Sequence, residues 1–178
     1  MKAHSGLTLI ELTIALAITG ILSAATFPAL RNSFEAARAS ETRNSLLASL
    51  STASAQASVT GVRAVLCPSE DGTDCLDSAD WSKGWIVFLD SNASRDREGG
   101  EPLLRVQPLL SGKVHLRTSV GRTRIVFQGN GGNAGSNATF TLCDGRGPSR
   151  ARSLIMSNAG GLRDDQPNST AVAAACQP

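Results

Sequence analysis

The sequence predicts an α+β fold, in which a long N-terminal membrane-spanning helix packs on a small antiparallel β domain. Three observations predict it. Leu7 to Thr60 reads as one continuous helix, apolar at first and amphipathic afterwards. After Gly61 the pattern switches to short segments rich in Val, Ile, Leu and Thr, separated by Gly, Asn, Asp and Ser. The 178 residues include 17 Gly, no Tyr and only 4% aromatics, a composition that suits a turn-rich β domain. Charged residues at 18% and hydrophobic residues at 41% favour folding over disorder. The length allows one domain and an appendage.

The first element is LTLIELTIALAITGILSAATF, Leu7 to Phe27. A spanning helix needs ~20 mostly apolar residues, and this run is long enough. Lys2 and His4 precede it, which assigns the N-terminus to the cytoplasm and the remainder to the far side. The run carries one carboxylate, Glu11. Such an acid costs ~2.5–3.5 kcal/mol at a helix centre and less near an end. Three readings account for the segment: a secretory signal cut near Ala24-Ala25, a plain anchor with an incidental acid, or an anchor whose acid has a partner. Only the third gives Glu11 a purpose, because an ion in an apolar medium must be paired.

The helix then runs on past Pro28, which removes one backbone hydrogen bond and favours a bend. Leu30, Phe34 and Ala37, then Leu46, Leu50, Ala53 and Ala57, step by three and four along one face. Gly61 ends it. At 1.5 Å per residue the whole helix would measure roughly 80 Å.

Seven strands are expected beyond it, at 62–67, 84–89, 102–107, 113–118, 122–128, 138–143 and 152–157. Each should set one face on the helix and leave the other wet. Residues 129–137 form a Gly- and Asn-rich loop, and the segment from Asp164 to the end is a weakly patterned tail. The expected division is 1–6, 7–27, 28–60 and 61–178: a short basic N-terminal segment, spanning segment, amphipathic half-helix, and globular β-rich domain with its tail.

The four cysteines, Cys67, Cys75, Cys143 and Cys176, contain no C-x-x-C pair, and only His4 and His115 could join them. That excludes an ordinary zinc site. An even count on an exported chain points to disulfides. Three pairings exist. The favoured one joins Cys67 to Cys75, closing a short loop, and Cys143 to Cys176, pinning the tail.

Nothing reads as a catalytic set. Two histidines, no cofactor-binding glycine motif and no nucleophile–base arrangement argue against an enzyme, and no cofactor is expected. Asp90, Asn92, Ser94 and Asp96 alternate ahead of Glu98 and Glu101, a spacing that can wrap oxygens around a hard cation. The sixth position of that stretch is Arg95, where a calcium loop needs Gly, so it reads as a polar hairpin loop and no metal is assigned. Charge is unevenly spread. Thr60 to Glu101 holds nine acids and four Lys/Arg, a net of −5, whereas Pro102 to Arg163 holds nine Lys/Arg and one acid, a net of +8. The excess suggests a basic face. Lys113, His115 and Arg117 alternate onto one side of a strand, with Arg122 and Arg124 expected on the next and Arg146, Arg150, Arg152 and Arg163 following. Such cations can neutralise phosphates, which makes DNA a candidate partner.

Gly6 followed by LTLIEL resembles the leader of type IV pilins and pseudopilins. VLCPSEDGTDC, WSKGWIVFLDSN, EPLLR and FTLCDGRGPSRARSLIMSNAGGLR resemble the branch that comprises the H-type minor pseudopilins and the FimT/FimU minor pilins. The resemblance covers Gly6 to about Arg163. It implies a pilin-like fold, cleavage after Gly6 by a membrane-embedded prepilin peptidase, and methylation of the new amino terminus on Leu7. Glu11 then becomes the fifth mature residue, placed to meet the amino terminus of a neighbouring subunit, and Pro28 falls where this family often bends its helix. Leu7 departs from the Phe usual at the first mature position. The implied role is a low-abundance structural subunit that starts or caps a type IV pilus or a type II secretion pseudopilus. The implied partners are other pilins, the peptidase and an inner-membrane assembly platform, and the implied location is the inner membrane with a periplasmic C-terminal domain. Some FimT-type relatives bind DNA through a C-terminal Gly-Arg-x-Arg motif. The matching stretch, Gly160-Gly161-Leu162-Arg163, keeps only its second arginine.

Overall fold

The computed structural model describes Gly6, residues 8–133 and residues 135–177; Lys2, His4 and Leu7 lie outside the described residues. Helix α1 spans Leu9–Thr60 with Pro28 inside it. Eight strands follow: β1 (Arg63–Pro68), β2 (Trp85–Asp90), β3 (Leu103–Gln107), β4 (His115–Thr118), β5 (Ile125–Phe127), β6 (Ala138–Cys143), β7 (Arg152–Met156) and β8 (Leu162–Asp165). A single 3-10 turn, Pro148–Arg150, precedes β7, and helix α2 (Ser169–Cys176) closes the chain. By density of contact the chain divides into two units, Met1–Phe34 and Glu35–Pro178. The second half of α1 therefore belongs to the β domain.

In the first unit α1 exposes Leu9, Ile10, Leu12, Ile14, Leu16, Ile18, Ile21 and Leu22. α1 is long and apolar enough to cross a membrane, and its apolar stretch is unburied. Its hydroxyls do not remain bare. Thr13, Thr19, Ser23 and Thr26 each donate to a carbonyl three or four residues earlier, so these polar groups are satisfied within the helix.

In the second unit two antiparallel four-stranded sheets form, ordered β3-β2-β1-β5 and β4-β6-β7-β8. Strand alternation fixes what each face does. Ala64 and Leu66, Trp85 and Val87, and Ile125 and Phe127 face one way from the first sheet. They join Leu116, Phe140, Leu154 and Met156 of the second sheet and Leu46, Leu50, Ala53 and Ala57 of α1 in one core. Leu46, Leu50, Ala53 and Ala57 are thus the buried stripe of the helix, whereas Leu30, Phe34 and Ala37, at the same spacing, are exposed. Two buried indoles fix the packing. Trp85 Nε1–H donates to Ser49 Oγ on α1 at 2.9 Å, and Trp81 Nε1–H donates to Thr118 Oγ1 at 3.2 Å. The Trp81 ring meets Phe140 edge-on with centroids 5.4 Å apart. Gly84 precedes Trp85 with φ +116°, and a Cβ there would collide with the Gln107 carbonyl, so only glycine admits β3 alongside.

The expectation of a wet outer face fails for the first sheet. Val65, Cys67, Ile86, Phe88 and Val126 form a second buried cluster on its far side. The covering comes from the loop between β1 and β2. Cys67 is bonded to Cys75, which packs on that cluster, and Arg97 and Arg124 donate to the carbonyls of Thr73 and Leu76. A short disulfide loop, rather than a helix, thus closes this side of the core.

Two further expectations are corrected. Arg122 and Arg124 do not lie on a strand beside β4. They precede β5, which belongs to the other sheet. Nor is the tail unpatterned. Residues 162–165 pair with β7 as an edge strand, and Asn168 caps α2 by accepting the Ala171 N–H at 2.8 Å. The second disulfide, Cys143–Cys176, ties α2 to β6.

Candidate functional site

Glu11 sits in the first turn of α1. Its Oε2 accepts the backbone N–H of Thr8 at 2.9 Å and the Thr8 hydroxyl at 2.8 Å. Thr8 Oγ1 in turn accepts the Glu11 N–H at 3.3 Å. This is a reciprocal capping box, which satisfies backbone donors that the first helical turn would otherwise leave bare. Sequence reasoning missed it, although the signal was present as Thr8-x-x-Glu11. Among the described residues, both bonds to the carboxylate use Oε2. Gly6 is exposed and a Cβ there would meet nothing. Leu7, the expected bearer of the modified amine, is outside the described residues. Pro28 lies inside α1 on an exposed stretch.

The basic residues do not form one face. In the second sheet, register places Leu116, Leu142 and Arg152 in one cross-strand row on the side facing α1. Arg117 shares its row with Thr141, Ser153 and Asp165, and Arg163 shares its row with Ile155 and Thr139; both rows lie on the opposite side. Several of the cations are already partnered. Arg124 pairs with Asp96, Arg146 with Asp144 at 2.7 Å, and Arg163 with Asp165 at 2.7 Å. Arg122 donates to the Gly135 carbonyl and to Asn137 Oδ1. Lys113, Arg117, Arg150 and Arg152 form no ion pair among the described residues.

The oxygen-rich stretch 90–101 folds as a loop closed on itself. The Glu101 carboxylate accepts the N–H groups of Ser91 and Glu98, and Asp90 Oδ2 accepts that of Arg95. Among the described residues no group of three or more His, Cys, Asp or Glu is placed to hold a metal ion.

The second half of α1 is clasped to the second sheet by charge as well as by its apolar stripe. Arg43 donates to both oxygens of Asp164 on β8, at 2.7 and 3.0 Å, and Glu35 Oε2 accepts the Gly145 N–H at 3.1 Å. Asp144 lies deep beside these groups. Burial pushes its carboxyl pKa up, but the hydrogen bonds and charge of Arg146, with help from Arg150, outweigh that and hold it below 3.8.

A long N-terminal helix and two antiparallel four-stranded sheets give a pilin-like fold. The fold matches two crystal structures of the Pseudomonas aeruginosa type IV minor pilin FimU. Each is 20% identical over 79% of this chain; they have TM-scores of 0.55 and 0.53, with 92% and 96% of the FimU chains covered. No curated protein sequence matches. Residues 42–160 match the family described as type II transport protein GspH, and residues 1–27 match the prokaryotic N-terminal methylation motif. The chain belongs to the GspH family of minor pilins and pseudopilins, whose members are structural subunits.

Proposed function

We propose that this protein is a minor filament subunit, inserted in the inner membrane with its β domain in the periplasm, that helps start or cap a type IV pilus or a type II secretion pseudopilus. The prepilin peptidase cuts after Gly6 and methylates Leu7. An inner-membrane assembly platform then draws the subunit into the filament beside other pilins. The observation that carries this reading is the methylation motif over residues 1–27, joined to a GspH domain, with its one carboxylate at Glu11. In the filament, Glu11 Oε1 meets the amino terminus of a neighbour while Oε2 stays on Thr8. Two charges that would each be costly in lipid thereby neutralise one another and set the axial register. Mass spectrometry of the mature terminus tests the processing step. N-methyl-leucine at position 7 is expected, and a terminus at Met1 or near Thr26 would overturn the reading.

A second reading, a DNA receptor carried on the same filament, draws on the expected DNA-facing cations that form no ion pair among the described residues, namely Lys113, Arg117, Arg122, Arg150 and Arg152. Binding of duplex DNA that weakens steeply with added salt would support it. No retention at low salt would end it.

A further inference from the structure

Beside the Arg43–Asp164 clasp, α1 and the second sheet do not close completely. They leave a groove of about 260 Å³. Ala36 and Ala39 form its helix wall, and Phe140, Leu142 and Leu154 its sheet wall. The small helix side chains open it, because alanine cannot reach across to the leucines. Four arginines line it as well: Arg43, Arg146, Arg150 and Arg152. Arg43 is neutralised by Asp164 and Arg146 by Asp144. Arg150 and Arg152 form no ion pair among the described residues, Arg150 acting on Asp144 only by longer-range charge. With Asp144 and Asp164 matched to Arg146 and Arg43, the groove keeps two surplus positive charges over an apolar floor. Arg152 owes its place to register. It sits opposite Leu142 in the row that faces α1, at the end where Leu154 and Met156 give way to solvent.

We propose that this groove is a docking site for an acidic, apolar segment of a partner protein. A bulky aliphatic or aromatic side chain of that segment seats on Leu142 and Leu154, and one or two adjacent carboxylates bind Arg150 and Arg152. Charge complementarity and size select this occupant. Whole small-molecule sites usually measure roughly 300–1,000 Å³, so this volume suits one or two anchoring side chains. A nucleic acid backbone would satisfy the guanidinium groups but would leave the leucine floor without a contact. Guanidinium binds carboxylates through paired donors, which gives the contact direction as well as strength. The inference needs only the groove and does not rest on the filament reading.

Photocrosslinking tests it in the full membrane-bound chain. Exposed Ser40 lines the groove and is replaced by benzoylphenylalanine in cells that make the protein. The adduct is then sequenced by mass spectrometry. The expected adduct is a protein segment with Asp or Glu next to a large apolar residue. Its yield should fall at least about fivefold in an Arg150→Glu, Arg152→Glu chain and persist in an Arg150→Lys, Arg152→Lys chain. Intact disulfides and unchanged circular dichroism check that each variant is folded. The absence of an adduct, an adduct indifferent to charge reversal, one on nucleic acid, or one on a segment without acids would each overturn the proposal.

Discussion

The Thr8 N–H lies 2.9 Å from Oε2 of Glu11, so the acid in the apolar segment is held by its own helix before any neighbour reaches it. Capping and intersubunit pairing are separable roles for this side chain. Glutamine at position 11 can still accept from Thr8 but carries no charge. If pairing is the role, Glu11→Gln and Glu11→Ala should both remove the protein from sheared filaments. If capping is the whole role, Glu11→Gln should assemble normally. Thr8→Ala loses only the cap, costing about 1 kcal/mol, and should lower incorporation without abolishing it. Immunoblots of filament fractions distinguish these outcomes.

The indole of Trp85 is the buried bolt between α1 and the first sheet. Ser49→Ala removes the acceptor at 2.9 Å and leaves a buried N–H unpaired. Such a loss costs about 1–3 kcal/mol, or roughly 2–4 °C in Tm per kcal/mol for a domain of this size. Thermal unfolding of the oxidised protein should show that drop, whereas Ser58→Ala, on an exposed part of the same helix, should shift it little.

How much of this was legible follows from what holds each element. The second half of the helix was readable from its buried three-and-four spacing. Seven strands were readable from their Val-, Ile-, Leu- and Thr-rich runs between turn residues, although β1 and β2 are buried on both faces and β3 has no buried residue. Ala53 and Ala57 are fully buried, as their spacing implies. β8 was not readable. Its residues, Leu162-Arg163-Asp164-Asp165, are mostly exposed and held by backbone pairing to β7 and by the Arg43 clasp, so no apolar pattern marks them. The partition of the strands into two sheets was also hidden, because alternation sets the faces of a strand but not its neighbour. Hence alternation alone carries Arg122 and Arg124 on from β4, whereas they lead into another sheet. Two local signals were present and unread: Thr8-x-x-Glu11, and Asn168 ahead of an alanine-rich run.

The Cys143–Cys176 bridge supplies what β8 and α2 lack in burial. It closes 33 residues of chain, and only Ala175 of α2 is buried. Loop-entropy arguments give about 3–4 kcal/mol for a bridge of this span. A Cys143→Ser, Cys176→Ser chain should therefore lose α2 to limited proteolysis while the core survives. The intact chain should be cut slowly there. Equal protection in both would show that packing alone holds the tail.

Acid should loosen the protein through carboxylates held at low pKa, Asp71 and Asp144 among them. In the loop between β1 and β2, Asp71 accepts the N–H groups of Asp74 and Thr73, which hold its carboxyl well below 3.8. Asp144 lies below 3.8 despite its burial, because Arg146 pairs with it. For both groups the folded state binds the proton less readily than the unfolded chain. Their stabilisation is therefore whole above 3.8 and is lost as pH falls from there through the lower folded values. Urea midpoints should stay flat from neutral pH to about 5 and then drop. Asp71→Asn removes one titrating group at an exposed loop, so its midpoint should fall less steeply with acid than the native one. An unchanged slope would mean that these hydrogen bonds contribute nothing to the acid sensitivity of the domain.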